Sequence, residues 1–220
     1  MINYSSKEHN WLAYYVNNKS FTQVANMIKG IVLDVGCGEK PFKEEIVRSS
    51  DRYFGVDWPL SFHKQNEIDV YANISEGFPF KSESVDTIVA FQVMEHLAEP
   101  EIFLRETYRV LRKKGKIILT TPFMWGIHEA PHDYYRYTEY GLRYLLEKSG
   151  FIDVHTAPNT GYWIMAGLRF NYYLSRHIKN FLSSFFPPVF WVVQKLALIF
   201  ERLNFDPIDA ASYTATAEKQ

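Results

Sequence analysis

Ile31-Val32-Leu33-Asp34-Val35-Gly36-Cys37-Gly38 decides the reading of this chain. Four apolar residues and one acid make a short buried strand, and the glycines behind it permit a sharp turn and a close approach of backbone to a ligand. The pattern continues outward. Arg52-Tyr53-Phe54-Gly55-Val56-Asp57 is a second strand, ended by an acid and stopped by Pro59. A third is expected near Ile68 to Ile74, a fourth at Val85 to Phe91, and a fifth at Lys116 to Thr121, stopped by Pro122. Phe151 to Thr156 is a sixth, and the alternating Ser212 to Ala217 a seventh. Helices are expected over 8 to 29, around Phe42 to Arg48, and over Glu139 to Lys148. Another is opened by Pro100, with Arg112, Lys113 and Lys114 in its last turn and Gly115 beyond it. Strands alternating with helices predict an α/β fold, a seven-stranded, mostly parallel sheet with helices on both faces and ligands at the carboxyl ends of the strands.

The glycine turn limits the ligand. In a dinucleotide fingerprint G-x-G-x-x-G the third glycine would fall on Pro41, and no G-x-x-x-x-G-K-[ST] phosphate loop is present. What remains is an acid-bearing glycine turn followed by Asp57 at the end of the next strand. A carboxylate there accepts hydrogen bonds from both ribose hydroxyls. It is a poor neighbour for phosphates and a good one for a cationic, phosphate-free nucleoside, which describes a sulfonium methyl donor.

Val32 to Gly38 resembles the first motif of class I S-adenosylmethionine-dependent methyltransferases. Further motifs of that family follow in order: Phe54-Gly55-Val56-Asp57, Gly77-Phe78-Pro79-Phe80, Ser84 to Val89, Met94-Glu95-His96-Leu97 and Arg109 to Gly115. The resemblance covers roughly residues 30 to 156 and the last strand. It implies a Rossmann-like sheet and S-adenosyl-L-methionine as cofactor, held by Asp34, Gly36, Cys37, Gly38, Asp57, Asn73, Ile74, Phe91 and Gln92. Two departures stand out. Lys40, followed by Pro41, replaces a glycine often found two residues after Gly38, so the turn into the next helix must differ. Asn73 stands where many relatives carry an acid for the adenine amino group.

The acceptor side is expected in the loop Thr121 to Thr138, which leaves the carboxyl edge of the sheet carrying two histidines, an Asp, an Arg and three tyrosines. His132 is the first candidate for a general base, because imidazole titrates near neutral pH. Asp133 would orient it or help position an acceptor, and His128 is a further catalytic candidate. The alternative is that His132 and Asp133 cap the following helix and that Arg136 pairs a surface acid. Pro131 to Thr138 also resembles methyltransferases of bacterial surface-polysaccharide and glycan biosynthesis, which implies a sugar or sugar-lipid acceptor. His128-Glu129-Ala130-Pro131-His132 spells H-E-x-x-H, but Pro131 opposes the continuous helix a zinc site of that kind needs. A looser set, Glu95 and His96 with a loop histidine, resembles some sugar-hydroxyl methyltransferases, which carry another acid where this chain has Gln92. No metal site is expected, and Glu95 and His96 are read as stabilising the turn beside the cofactor.

A net charge of -1 gives no electrostatic case for nucleic acid. One cysteine and no basic-then-apolar start place the chain in the cytoplasm. Residues 1–220 read as one domain, with 157–205 as a helical, aromatic-rich insertion before the last strand. Twelve of the 46 residues from Thr160 to Phe205 are aromatic; five basic residues, Lys179 among them, face the single acid Glu201. Pro187 and Pro188 divide the segment into two helices. In the second, Gln194, Lys195, Glu201 and Arg202 form a narrow polar stripe, and the apolar remainder must be covered. Its own sheet, a second subunit in a homodimer, or peripheral contact with the inner face of a membrane would serve. The function expected is methylation of a small-molecule or glycan acceptor, one carried on a lipid included. The alternatives are a protein acceptor or a non-catalytic cofactor-binding domain.

Overall fold

The computed structural model describes residues 4–60, 68–178 and 185–220. Strands β1 (Ile31–Val35), β2 (Arg52–Asp57), β3 (Val70–Tyr71), β4 (Val85–Phe91), β5 (Leu111–Pro122), β6 (Phe151–Pro158) and β7 (Ser212–Lys219) form one sheet in the order β3-β2-β1-β4-β5-β7-β6. Neighbours from β3 to β5 are parallel, and β7 lies antiparallel between β5 and β6. The mostly parallel seven-stranded sheet is therefore what forms. The chain runs outward from β1 to β3 and then returns to β4 on the other side of β1. That reversal opens a crevice beyond the carboxyl ends of β1 and β4.

Alternate residues serve opposite faces, as strand geometry requires. Val32, Val89 and Ile118 pack with Phe21 and Val24 of α1 (Trp11–Val24) and Ile46 of α2 (Lys43–Ser49). Their neighbours Leu33, Ile88 and Ile117 pack with Phe103 and Leu104 of α3 (Pro100–Val110) and Leu142 and Leu146 of α4 (Glu139–Lys148).

Some boundaries move. The helix expected over 8 to 29 stops at Val24 and tightens into a 3-10 turn over Ala25–Met27, and the third strand shrinks to two residues. The helix opened by Pro100 ends at Val110, so Arg112, Lys113 and Lys114 lie on β5 rather than in a last helical turn. Pairing decides this: Leu111 is fully buried and in register with Val85, and Arg112 pairs with Asp86 at 2.9 Å.

The insertion forms α5 (Tyr162–His177) and α6 (Pro187–Leu203), the latter opened by its prolines as expected; Lys179 lies outside the described residues. Leu12 and Val16 of α1 pack with Ile164, Met165 and Leu168 of α5 and Ala197 of α6. The crossing is close, since a Cβ on Gly167 would stand 2.9 Å from that of Ala197. The face of α6 turned inward is Phe190, Gln194, Ala197 and Glu201. Gln194 accepts from the Leu12 amide (3.1 Å) and donates to the carbonyls of Ser6 and Glu8. Glu201 accepts from the amides of Gly161 and Ile164 at the start of α5. Two members of the polar stripe are thus buried, while Trp191, Val192, Leu196, Ile199, Phe200 and Leu203 are exposed. Among the described residues, no helix is long and apolar enough to cross a membrane.

Candidate active site

The glycine turn after β1 is tied to the end of β2. Gly36 and Cys37 donate their amides to the Val56 carbonyl, and Gly38 donates to Asp57 Oδ2 at 2.7 Å. Gly36 has φ 65, and a Cβ there would meet Val93 at 2.5 Å, so only glycine fits. The other Asp57 oxygen accepts the Trp58 amide at 2.7 Å. Each carboxylate oxygen keeps a lone pair, as bidentate capture of two ribose hydroxyls requires.

Lys40, in place of a glycine, keeps a glycine-like backbone with φ 52. Its stem lies under Gly55, and its ammonium reaches Asp69 at 2.7 Å. Asp34 is buried behind the turn, accepts from the Tyr53 hydroxyl at 2.7 Å, and has its carboxyl pushed up to about 7 by burial. It lines neither of the two cavities that meet at the turn.

One cavity, of about 290 Å³, is lined by Asp57, Trp58, Asn73, Ile74, Leu97, His132 and Tyr134. The other, of about 720 Å³, is lined by Gly36, Cys37, Gly38 and Phe91, by Tyr14 and Asn17 of α1, and by Trp125, His128, Leu168 and Tyr172. Gly36, Gln92, His96 and Glu129 border both. Gln92 is held there with φ 58, its amide bonded to the Thr120 carbonyl and its side chain to the Thr120 hydroxyl.

The two loop histidines face different cavities. His132 stands edge-on to Trp58, ring centres 5.2 Å apart, on the Asp57 side. Asp133 does not orient it. That carboxylate makes a two-pronged pair with Arg136 (2.6 and 2.8 Å), which holds it well below the usual carboxylate range, and it also accepts the His128 amide at 2.8 Å. Nor do His132 and Asp133 cap the next helix, because Thr138 does so, accepting from the Gly141 amide. Asp133 instead faces Nδ1 of His128 at 3.4 Å. Burial, then the neighbouring His96, lowers the His128 pKa, while burial pushes the Glu95 carboxyl up to about 8.

Sequence reasoning singled out every residue of the glycine turn and Asp57. It overlooked Trp58 as a lining residue, although Trp58 directly follows Asp57. It also overlooked the contribution of α1 through Tyr14 and Asn17, for which the sequence carries no signal.

The mostly parallel sheet with this reversal, the glycine turn bonded to the next strand's end and the acid beside it make a Rossmann-like fold with a candidate nucleoside site at the switch point. Residues 33–119 match the family model described as "Methyltransferase domain". A probable S-adenosylmethionine-dependent methyltransferase of Mycobacterium tuberculosis is 34% identical over 137 residues, covering 56% of this chain and 49% of that protein. The ubiquinone biosynthesis O-methyltransferase of Bartonella quintana is 28% identical over 99 residues, covering 41% and 40%. The chain thus spans about half the length of the mycobacterial relative, or less in the second case. A SAM-dependent methyltransferase from Archaeoglobus fulgidus shares the fold, with a TM-score of 0.61, 18% identity and 94% of both chains covered.

Proposed function

We propose that this protein transfers the methyl group of S-adenosylmethionine to a small-molecule or glycan acceptor. The observation that carries this reading is the meeting of two cavities at Gly36, Gln92, His96 and Glu129, one beside Asp57 and the other larger and walled by aromatic side chains. The cofactor supplies an electrophilic methyl carbon on a sulfonium. Asp57 holds the ribose, Asn73 and Ile74 border the base, and Trp58 with His132 closes that side. Gly36 to Gly38 leave room for the amino-acid end. Acceptor placement falls to Tyr14, Trp125, His128 and Tyr172, and placement alone is worth up to roughly 7–11 kcal/mol in favourable cases. A walled cavity of about 720 Å³ favours a small molecule or a single sugar unit over a folded protein surface. Transfer of a labelled methyl group into fractionated cell extract, with the product identified, tests the reading; label recovered only in protein would overturn it.

On this reading His132 serves the cofactor rather than the chemical step. His132→Ala is expected to weaken S-adenosylmethionine binding several-fold and to leave turnover at saturating cofactor near wild type. A lost turnover with unchanged cofactor affinity would restore His132 as the base.

The exposed apolar face of α6 is proposed to rest on an anionic membrane surface, where a lipid-linked acceptor would be presented. Charge complementarity supports this: Arg169, Arg176, Lys195 and Arg202 lie on α5 and α6, whose one acid, Glu201, is buried as a cap. The protein is expected to float with vesicles containing phosphatidylserine, and Trp191→Glu with Leu196→Glu to abolish flotation. A protein that never floats but forms a dimer broken by the same substitutions would assign this face to a second copy instead.

A further inference from the structure

We propose that Tyr4, Tyr14, Trp125 and Tyr172 form an aromatic cage in the larger cavity that binds a positively charged ammonium group of the acceptor; this rests on the methyltransferase reading and names the class of substrate it takes. All four rings line that cavity. Tyr4 lies face to face on Tyr14, ring centres 3.7 Å apart, and Trp125 meets Tyr172 edge-on at 5.1 Å. Rings used only for packing are buried, but Tyr14, Trp125 and Tyr172 are half-buried and Tyr4 is exposed. The face of an aromatic ring is negative, and several rings around one cavity are how proteins hold ammonium groups.

The rings are held in place by groups behind them. Gln194, buried on α6, donates to the Ser6 and Glu8 carbonyls and so fixes the segment that carries Tyr4. Asn10 donates to the Tyr14 hydroxyl at 3.3 Å. Burial raises the Tyr14 phenol above its ordinary value, with further contributions from Tyr4 and Tyr172, which places the two ring pairs close together. Burial also raises the Tyr172 phenol, so both rings stay neutral and offer faces rather than charge. His9 backs Tyr172 edge-on at 5.1 Å, and burial lowers its pKa, so it adds no positive charge behind that ring.

The charges around the cavity favour the same ligand. Among the described residues that line it there is no lysine or arginine, while Glu39 and Glu129 both do so. Arg136, beside Trp125, is committed to Asp133 and to the carbonyls of Trp125 and Gly126. Arg169 is exposed beside Gly126 and lines neither cavity. A phosphate or carboxylate on the acceptor would therefore meet like charge and find neither a guanidinium nor an ammonium to bind. The rings belong to the N-terminal segment, α1, α5 and the loop after β5, and none to the glycine turn that faces the methyl donor. An ammonium held among them has no lone pair with which to attack, so the reacting atom is a second nucleophile of the same molecule. The acceptors indicated are small amines with a further hydroxyl or amino group, and amino sugars.

The test is a ligand-observed nuclear magnetic resonance titration of the full-length protein saturated with S-adenosylhomocysteine, the thioether that methyl transfer leaves. Two probes of one shape are compared: choline, and its uncharged isostere in which a tert-butyl group replaces the trimethylammonium group. Wild type is expected to bind choline about tenfold or more tightly than the isostere, as a desolvated cation over ring faces allows. Tyr4→Leu and Tyr172→Leu should each lower that ratio to about threefold or less. Tyr4 is exposed, so its variant tests the cage even where Tyr172→Leu does not fold. Equal binding of the two probes by wild type, or a preference kept by both variants, overturns the cage. Variants that lose S-adenosylmethionine affinity together with the preference would assign the rings to the cofactor and overturn it as well. Calorimetry of S-adenosylmethionine on the wild-type protein separates the two readings. Cofactor binding without a charge preference removes the cage alone, and loss of both removes the methyltransferase reading with it.

Discussion

Asp57→Ala will weaken S-adenosylmethionine binding by about a hundredfold or more. On the proposed reading the free lone pairs of this carboxylate accept from two ribose hydroxyls, and each hydrogen bond to a charged group is worth roughly 1.5–3 kcal/mol. Two such bonds at the lower limit amount to about a hundredfold in Kd. The same side chain holds the amides of Gly38 and Trp58, so its loss also loosens the glycine turn. Asp57→Asn keeps one acceptor oxygen and should lie between the two proteins. Calorimetry gives the affinities, and thermal melting without cofactor shows whether the fold survives. An affinity equal to wild type in the alanine variant would remove Asp57 from the cofactor site and leave the glycine turn as a structural bend.

The second large effect concerns stability. Glu201→Ala should destabilise the protein by roughly 2–6 kcal/mol, because it strips the acceptor from two buried amides that cost roughly 1–3 kcal/mol each when unpaired. Those amides belong to Gly161 and Ile164, at the start of α5. For a chain of this size, at roughly 2–4 °C per kcal/mol, the melting temperature should fall by roughly 4–24 °C. Glu201→Gln, which retains one acceptor, should lose less. The larger cavity should suffer along with stability, since Leu168 and Tyr172 of α5 line it. Urea unfolding and thermal melting of the three proteins decide the matter, and an alanine variant as stable as wild type would refute the capping role.

Much of the fold was legible in the sequence for local reasons. The β1 segment could be read because four apolar residues around a single acid, then glycines, leave a chain few alternatives. Asp57 could be placed because an acid ending the second strand points at whatever the first strand's turn holds. Helix α4 matched its expected bounds, and the prolines before Val189 opened α6 where expected. Local signals failed where pairing at a distance decided the outcome. Leu111 joins β5 because it finds Val85. Nothing in Arg112-Lys113-Lys114 announces that, since three cations after an amphipathic run also suit a helix end.

By itself, then, the sequence determined the strand–helix alternation, the glycine turn and the acid that ends the second strand, since each follows from residue type and spacing along a single segment. The tertiary structure alone decided which groups face one another. His128 and His132 are four residues apart on a loop with no period to orient them. His132 is turned to Trp58 by a bond from the His96 ring, on the turn after β4, to the His132 carbonyl, and His128 is turned to Glu95 by the Asp133–Arg136 pair, which holds the His128 amide within the loop itself. In α6 the periodicity showed a polar stripe and an apolar face, but not which would be buried. Gln194 and Glu201 went inward because only their side chains satisfy the amides of Leu12, Gly161 and Ile164, a need that arises in other helices and becomes visible once those helices are packed.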